Sequence, residues 1–135
     1  MPNLNIYLVA GYSDEQKSRL LARMTDAVVD SLDAPRSAVR IFLIELDEKH
    51  ISVGGVTLSL LREQQAPRVV HGGPTIQAML IAGRNEQQKS ALIAALSAAV
   101  SEILGIPTDT IRIIVADIPN IDFGMNGVPA KSLGR

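Results

Sequence analysis

The feature that most constrains this chain is that it contains the same unit twice. Displaced by 72 positions, the sequence falls on itself without a gap. Pro2 meets Pro74, Gly11 meets Gly83, and Gln16-Lys17-Ser18 meets Gln88-Lys89-Ser90. Further on, Leu20 meets Leu92, Leu32 meets Leu104, Pro35 meets Pro107, Arg40 meets Arg112, Glu45 meets Asp117 and Gly55 meets Gly127. A duplicated unit has to solve its burial problem twice by the same means, so one local reading serves for both halves.

Each copy reads as strand, helix, strand. Leu4, Ile6, Leu8 and Ala10 alternate with Asn3, Asn5, Tyr7 and Val9, and Ile76, Ala78, Leu80 and Ala82 repeat the spacing, a period of two that predicts strands with one better-buried face. Ser13 with Gln16, and Asn85 with Gln88, have the spacing of a capping box and predict helix starts. From Asp14 to Leu32 the apolar stripe is Leu20, Leu21, Met24, Ala27, Val28 and Leu32; in the second copy it is Leu92, Ile93, Leu96, Ala99, Val100, Ile103 and Leu104. Pro35 and Pro107 end the helices, because a residue before proline is pushed out of the helical region. The runs Val39–Leu46 and Ile111–Ile118 predict buried second strands.

A long helix between two strands predicts parallel pairing through a right-handed crossover. One unit of this size is marginal alone. Two of them, residues 2–61 and 74–135 joined by a linker at 62–73, predict an α+β domain. Its four-stranded sheet carries both helices on one face and leaves an apolar face to be covered by oligomerisation.

Composition removes whole classes of function. The net charge is -1, without the basic excess that phosphate neutralisation demands, so no nucleic-acid partner is expected. There is no cysteine, which excludes disulfides and thiolate metal sites. No apolar run approaches the ~18 residues of a membrane span, and the N-terminus lacks the pattern of a signal peptide. A soluble, cytoplasmic protein is expected, with no membrane partner. His50 and His71, the two histidines, have no second ligand at a useful spacing, so neither metal nor cofactor is expected. Gly54-Gly55 and Gly72-Gly73 lack the context of a phosphate loop and read as turn or linker glycines. The serines stand in no nucleophile elbow, and Asp14-Glu15 is explained by the helix dipole.

Three residues carry candidate chemistry. Pro2 follows the initiator Met; removal of Met1 would expose a secondary amine, which is a competent base if its pKa is brought below the ~8 of an α-amino group. Arg40 and Arg112 each interrupt an apolar strand, and guanidinium is suited to gripping a carboxylate in a bidentate fork.

These residues resemble the tautomerase superfamily, specifically 4-oxalocrotonate tautomerase. The resemblance runs through Pro2, Gly11 to Lys17, Ser31 to Pro35, Ser37 to Arg40 and Gly54-Gly55, and again through Pro74, Gly83 to Lys89, Ile111-Arg112 and Phe123 to Gly127. It implies a fused chain and a trimer with the outline of the family's hexamer. It also implies a proline amine that moves a proton within an unsaturated 2-oxo or 2-hydroxy acid, helped by arginines and an aromatic from neighbouring subunits.

Carried over by position, unit one keeps the amine but has Tyr12 and Ile51 where unit two has Arg84 and Phe123. Unit two keeps those partners, but the nitrogen of Pro74 is an amide. The resemblance therefore implies one site per chain: Pro2 as base, Arg84 and Arg112 as grips with Arg40 as the alternative to Arg112, and Phe123 and Ile81 as an apolar wall. Related dehalogenases carry a water-activating acid where this chain has Met125 and Val53, which favours tautomerisation. A hydratase, dehalogenase or decarboxylase using Asp117 or Asp122, or a binding protein that retains only the scaffold, are the alternatives.

Overall fold

The computed structural model describes residues 1–64 and 73–135. The first unit holds β1 (Asn3–Val9), α1 (Asp14–Leu32), β2 (Arg40–Leu46), a small hairpin of β3 (Ser52–Val53) and β4 (Val56–Thr57), and α2 (Leu58–Glu63). The second holds β5 (Thr75–Ile81), α3 (Glu86–Leu104), β6 (Arg112–Ile118) and a matching hairpin of β7 (Gly124–Met125) and β8 (Val128–Pro129). Helix α2 takes in Arg62 and Glu63, the first two positions of the expected linker; residues 65–72 of that linker, His71 and Gly72 among them, lie outside the described residues.

Both long helices begin as their sequences require. Ser13 and Asn85 each accept the backbone N–H three residues on, and Gln16 and Gln88 each accept the cap's own N–H. At the other end Asp33 and Gly105 take left-handed conformations, with φ of 52° and 66°.

Within each unit the strands pair in parallel: β1 with β2 from Asn3 opposite Arg40, and β5 with β6 from Thr75 opposite Arg112. The units join where β1 pairs antiparallel with β5, giving the order β2-β1-β5-β6. At the middle of that join Asn5 faces Gln77, two residues that the repeat makes equivalent. A pseudo-twofold axis therefore passes between them. The core lies on one face, where Leu4, Ile6 and Leu8 meet Leu20, Met24 and Val28 of α1, and Ile76, Ala78 and Leu80 meet Leu92, Leu96 and Val100 of α3.

Several details depart from the sequence reading. Ala10 and Ala82 lie beyond the strand ends and are exposed. Ile93 leaves the apolar stripe of α3 and is 42% exposed. Strands β2 and β6 are edge strands, so their residues are half-buried or exposed, not enclosed. The open face of the sheet is not uniformly apolar either. Its centre is a polar cluster in which the Tyr7 hydroxyl and the Asn5 amide both donate to Gln77 Oε1, at 2.8 and 3.4 Å. The apolar surface is confined to its flanks, with Phe42 54% and Ile114 52% exposed.

Candidate active site

Antiparallel pairing of β1 with β5 brings the start of one strand beside the end of the other. With Asn3 opposite Met79, Pro2 comes next to the end of β5, where Ile81 closes the strand and Arg84 precedes α3. The Arg40 N–H donates to the Pro2 carbonyl at 3.0 Å, so the parallel partner delivers its arginine to the same end. Phe123 is held by the hairpin that follows it: the N–H of Ala130, a fully buried residue, donates to the Phe123 carbonyl at 2.7 Å. A cleft of about 420 Å³ results, lined by Met1, Asn3, Arg40, Phe42, Phe123 and Arg135 among others. Ile81 is not among its lining residues; it ends β5 half-buried.

The α-amino group that the chain presents here, that of Met1, is held below its ordinary value of 8.0. Burial is the main cause, followed by the positive charges of Arg135, Arg84 and Arg40. Desolvation and neighbouring cations both disfavour an ammonium ion. Pro2 itself is buried, one residue deeper in the same surroundings. Among the described residues no carboxylate forms an ion pair with Arg40, Arg84, Arg112 or Arg135. The charges of Arg135, Arg84 and Arg40 all act on this amine; Arg40 and Arg135 line the cleft beside it, whereas Arg84 is not among its lining residues.

The other end of the sheet, related by the pseudo-twofold, is built differently. The Arg112 N–H donates to the Pro74 carbonyl at 3.1 Å, mirroring Arg40 and Pro2. Arg112 lies opposite Thr75, which in turn lies opposite Tyr7. Five residues of strand separate Tyr7 from Pro2, about 17 Å along the strand. One chain therefore does not bring Arg112 to its own Pro2; Arg40 occupies that place. Tyr12 stands at this far end, partly buried against the core, and burial raises its phenol's pKa against the opposing charge of Arg62. Gly73, read from the sequence as a linker glycine, packs against the backbone of Thr110. A Cβ there would lie 2.0 Å from the Thr110 carbonyl oxygen.

The acids proposed for water chemistry are elsewhere. Asp117 accepts a 2.7 Å bond from Lys89 Nζ, and the repeat-equivalent Glu45 accepts one from Lys17, so both copies tie a strand to a helix with this pair. Asp122 is exposed in the turn after β6. Neither lines the cleft, whereas Met125 does. Among the described residues there is no cluster of three or more His, Asp or Glu that could hold a metal ion, and no helix long and apolar enough to cross a membrane.

Sequence inspection missed Arg135. Nothing in its neighbours along the chain marks it; its place in the cleft comes from the folded corner at Ala130 and Asn120.

Comparison with known proteins matches this architecture in both halves. A family model described as "Tautomerase enzyme" fits residues 2–60 and fits again at residues 74–132. The 2-hydroxymuconate tautomerase of Pseudomonas sp. (strain CF600) is 37% identical over 62 residues, which is 46% of this chain and 98% of that protein. A crystal structure of a native fused 4-OT is 45% identical with a TM-score of 0.90, covering 99% of this chain and 100% of that one. A fused 4-OT solved as an asymmetric trimer is 41% identical with a TM-score of 0.87, at the same coverage. The chain belongs to the tautomerase family of enzymes, as a fused member that carries two copies of the family's unit.

Proposed function

We propose that the protein isomerises a conjugated 2-hydroxy or 2-oxo acid of the 2-hydroxymuconate type at one site per chain. The observation that carries this reading is the meeting of a desolvated N-terminal amine with Arg84, Arg40 and Phe123 at one end of the sheet. Removal of Met1 makes Pro2 a secondary amine whose neutral form is the base. It accepts the proton of the 2-hydroxyl group and returns a proton to a carbon of the conjugated chain. The double bonds shift, and no atom or electron is gained or lost. Arg84 and Arg40 bind the carboxylate and polarise the adjacent oxygen, while Phe123 and Phe42 keep water from the amine. The Pro74 end lacks a basic nitrogen and is a structural counterpart.

The active form is proposed to be a trimer, like the fused 4-OT that matches this chain. The exposed flanks of the sheet, around Phe42 and Ile114, are the surfaces it would cover. Arg112 is too far from Pro2 to act within its own chain and joins a site only if a neighbouring protomer donates it.

Two measurements test the reading. The purified protein should have the mass of a chain without Met1, and it should convert 2-hydroxymuconate to its 2-oxo isomer. Full activity in a protein that retains Met1 would eliminate Pro2 as the base.

A further inference from the structure

The two small hairpins are equivalent by the repeat but turn through different residues. Unit one uses Gly54-Gly55, and unit two uses Asn126-Gly127, 72 positions on. No other asparagine in the chain precedes a glycine: Asn3, Asn5, Asn85 and Asn120 precede leucine, isoleucine, glutamate and isoleucine. The fold accounts for the pair as a turn. With Met125 opposite Val128, only two residues connect the strands, and their φ values of 55° and 75° are those of the tight turn that Asn-Gly favours. Gly54 and Gly55 make the equivalent turn at 60° and 84°, so a carboxamide is not needed for it.

The carboxamide brings a reactivity of its own. Asparagine is a labile residue, because its side-chain carbonyl carbon lies within reach of the next residue's backbone nitrogen. Three features leave that nitrogen open here. Gly127 has no side chain, and even a Cβ built on it would meet nothing within 4 Å. Among the described residues no backbone carbonyl accepts its N–H. Asn126 and Gly127 are both exposed, and each strand of the hairpin is two residues long, so opening the turn disrupts little structure.

We propose that Asn126 is a site of spontaneous covalent modification, at which the hairpin converts itself with time to aspartate and isoaspartate. The Gly127 nitrogen gives up its proton to solvent and bonds to the Asn126 side-chain carbonyl carbon. The bond from that carbon to the side-chain nitrogen breaks, and the nitrogen takes a proton and leaves as ammonia. Water then opens the cyclic imide, and nothing is oxidised or reduced. Addition at the side-chain carbonyl restores the backbone with aspartate at 126; addition at the main-chain carbonyl leaves the chain running through the side-chain carbon, one methylene longer.

The change lies next to the cleft. Gly124 and Met125 line it, and so does Phe123, whose carbonyl is held by the Ala130 N–H across the same hairpin. An added methylene in a two-residue turn shifts one strand against the other and so displaces that wall.

The test holds purified protein in mildly alkaline buffer and follows intact mass, isoelectric point and the isoaspartate content of each peptide. Wild type should gain the mass difference between a hydroxyl and an amino group, become more acidic, and show isoaspartate only in the peptide containing residue 126. Asn126→Gly, which copies the turn of unit one, should keep its mass and charge. A wild type that keeps its carboxamide at 126, or reacts first at another asparagine, would overturn the proposal. The consequence for the cleft rests on the isomerase reading. Activity on 2-hydroxymuconate should fall in step with isoaspartate in wild type and hold in Asn126→Gly over the same period. Asn126→Asp, which adds the charge without lengthening the chain, should begin as active as wild type. Activity that survives full conversion would overturn the link between hairpin and cleft. A wild type inactive before incubation would instead overturn the isomerase reading, and the mass measurement is independent of both.

Discussion

At the scale of single residues, the two prolines show how one backbone position acquires two chemistries. Pro2 and Pro74 start equivalent strands, and both are buried. Only the first becomes a basic nitrogen on removal of Met1, because the amide nitrogen of Pro74 has no basic lone pair. Replacing Pro2 with Ala should reduce kcat/KM by about 10²–10⁴-fold, the usual contribution of a positioned base, with some residual rate from alanine's primary amine. Pro74→Ala should leave kcat/KM close to wild type; equal losses would remove the amine from the mechanism.

The charge of Arg84 lowers the pKa of the α-amino group at this end of the sheet, that of Met1. Arg84→Ala should lower kcat/KM by roughly 10- to 150-fold, and by more than Tyr12→Ala does. The pH profile supplies an independent sign. In the proposed mechanism the neutral amine is the active form, so kcat/KM should rise with pH up to the amine's pKa and then level. Burial and the arginines hold the α-amino group at this end of the sheet, that of Met1, below 8.0. The same surroundings would act on the amine of Pro2 once Met1 is removed. Removing the Arg84 cation lets the pKa rise, so the acid limb of the variant should move to higher pH. A limb that stays in place or moves to lower pH would contradict this account.

At the scale of elements, the two copies share their devices and differ in how each is sealed. Both helices use a capping box and both hairpins turn through left-handed residues, Gly54-Gly55 in one and Asn126-Gly127 in the other. Helix α1, however, ends on a left-handed Asp33, where α3 ends on Gly105. A side chain in that conformation is strained, and glycine relieves it. Asp33→Gly should therefore raise stability by about 0.5–1 kcal/mol in a denaturant titration.

Gly73 poses the opposite case, since any side chain there meets the Thr110 backbone. Gly73→Ala should destabilise the protein by about 1–3 kcal/mol, as overpacking commonly does, with little effect on kcat in the folded fraction. The position equivalent to Gly73 in unit one is Met1. The far end is thus sealed by backbone packing at the point where the near end holds its amine.

At the scale of the whole molecule, the open face of the sheet is the surface that the proposed trimer would cover. A Tyr7–Gln77–Asn5 cluster lies at its centre, and exposed Phe42 and Ile114 lie on its flanks. An assembly that covered only the flanks would leave those polar groups their partners while removing apolar surface from water. Phe42→Asp together with Ile114→Asp should shift the sedimentation profile from trimer towards single chains at micromolar concentration. A trimer that survives both charges would have to be held by another surface.

The amino-acid sequence by itself determined the two strand–helix–strand units, because alternation, capping spacing and proline stops are local and each occurs twice. Differences between equivalent positions, Arg84 against Tyr12 and Phe123 against Ile51, were also legible. The family resemblance turned them into the proposal that unit one supplies the amine and unit two its partners. The sequence did not show that β2 and β6 would be half-open edges, nor that polar residues would meet at the centre of the open face. Those outcomes depend on strand order, which arises from pairing between residues about 70 positions apart. The choice between Arg40 and Arg112 had the same origin. Both arginines interrupt similar apolar strands, and only the antiparallel seam of β1 with β5 brings Arg84 and Phe123 of unit two to Pro2 while leaving Arg112 at the far end. Arg135 escaped notice for a related reason: what gives it a place in the cleft is the folded corner at Ala130 and Asn120, not anything in its neighbours along the chain.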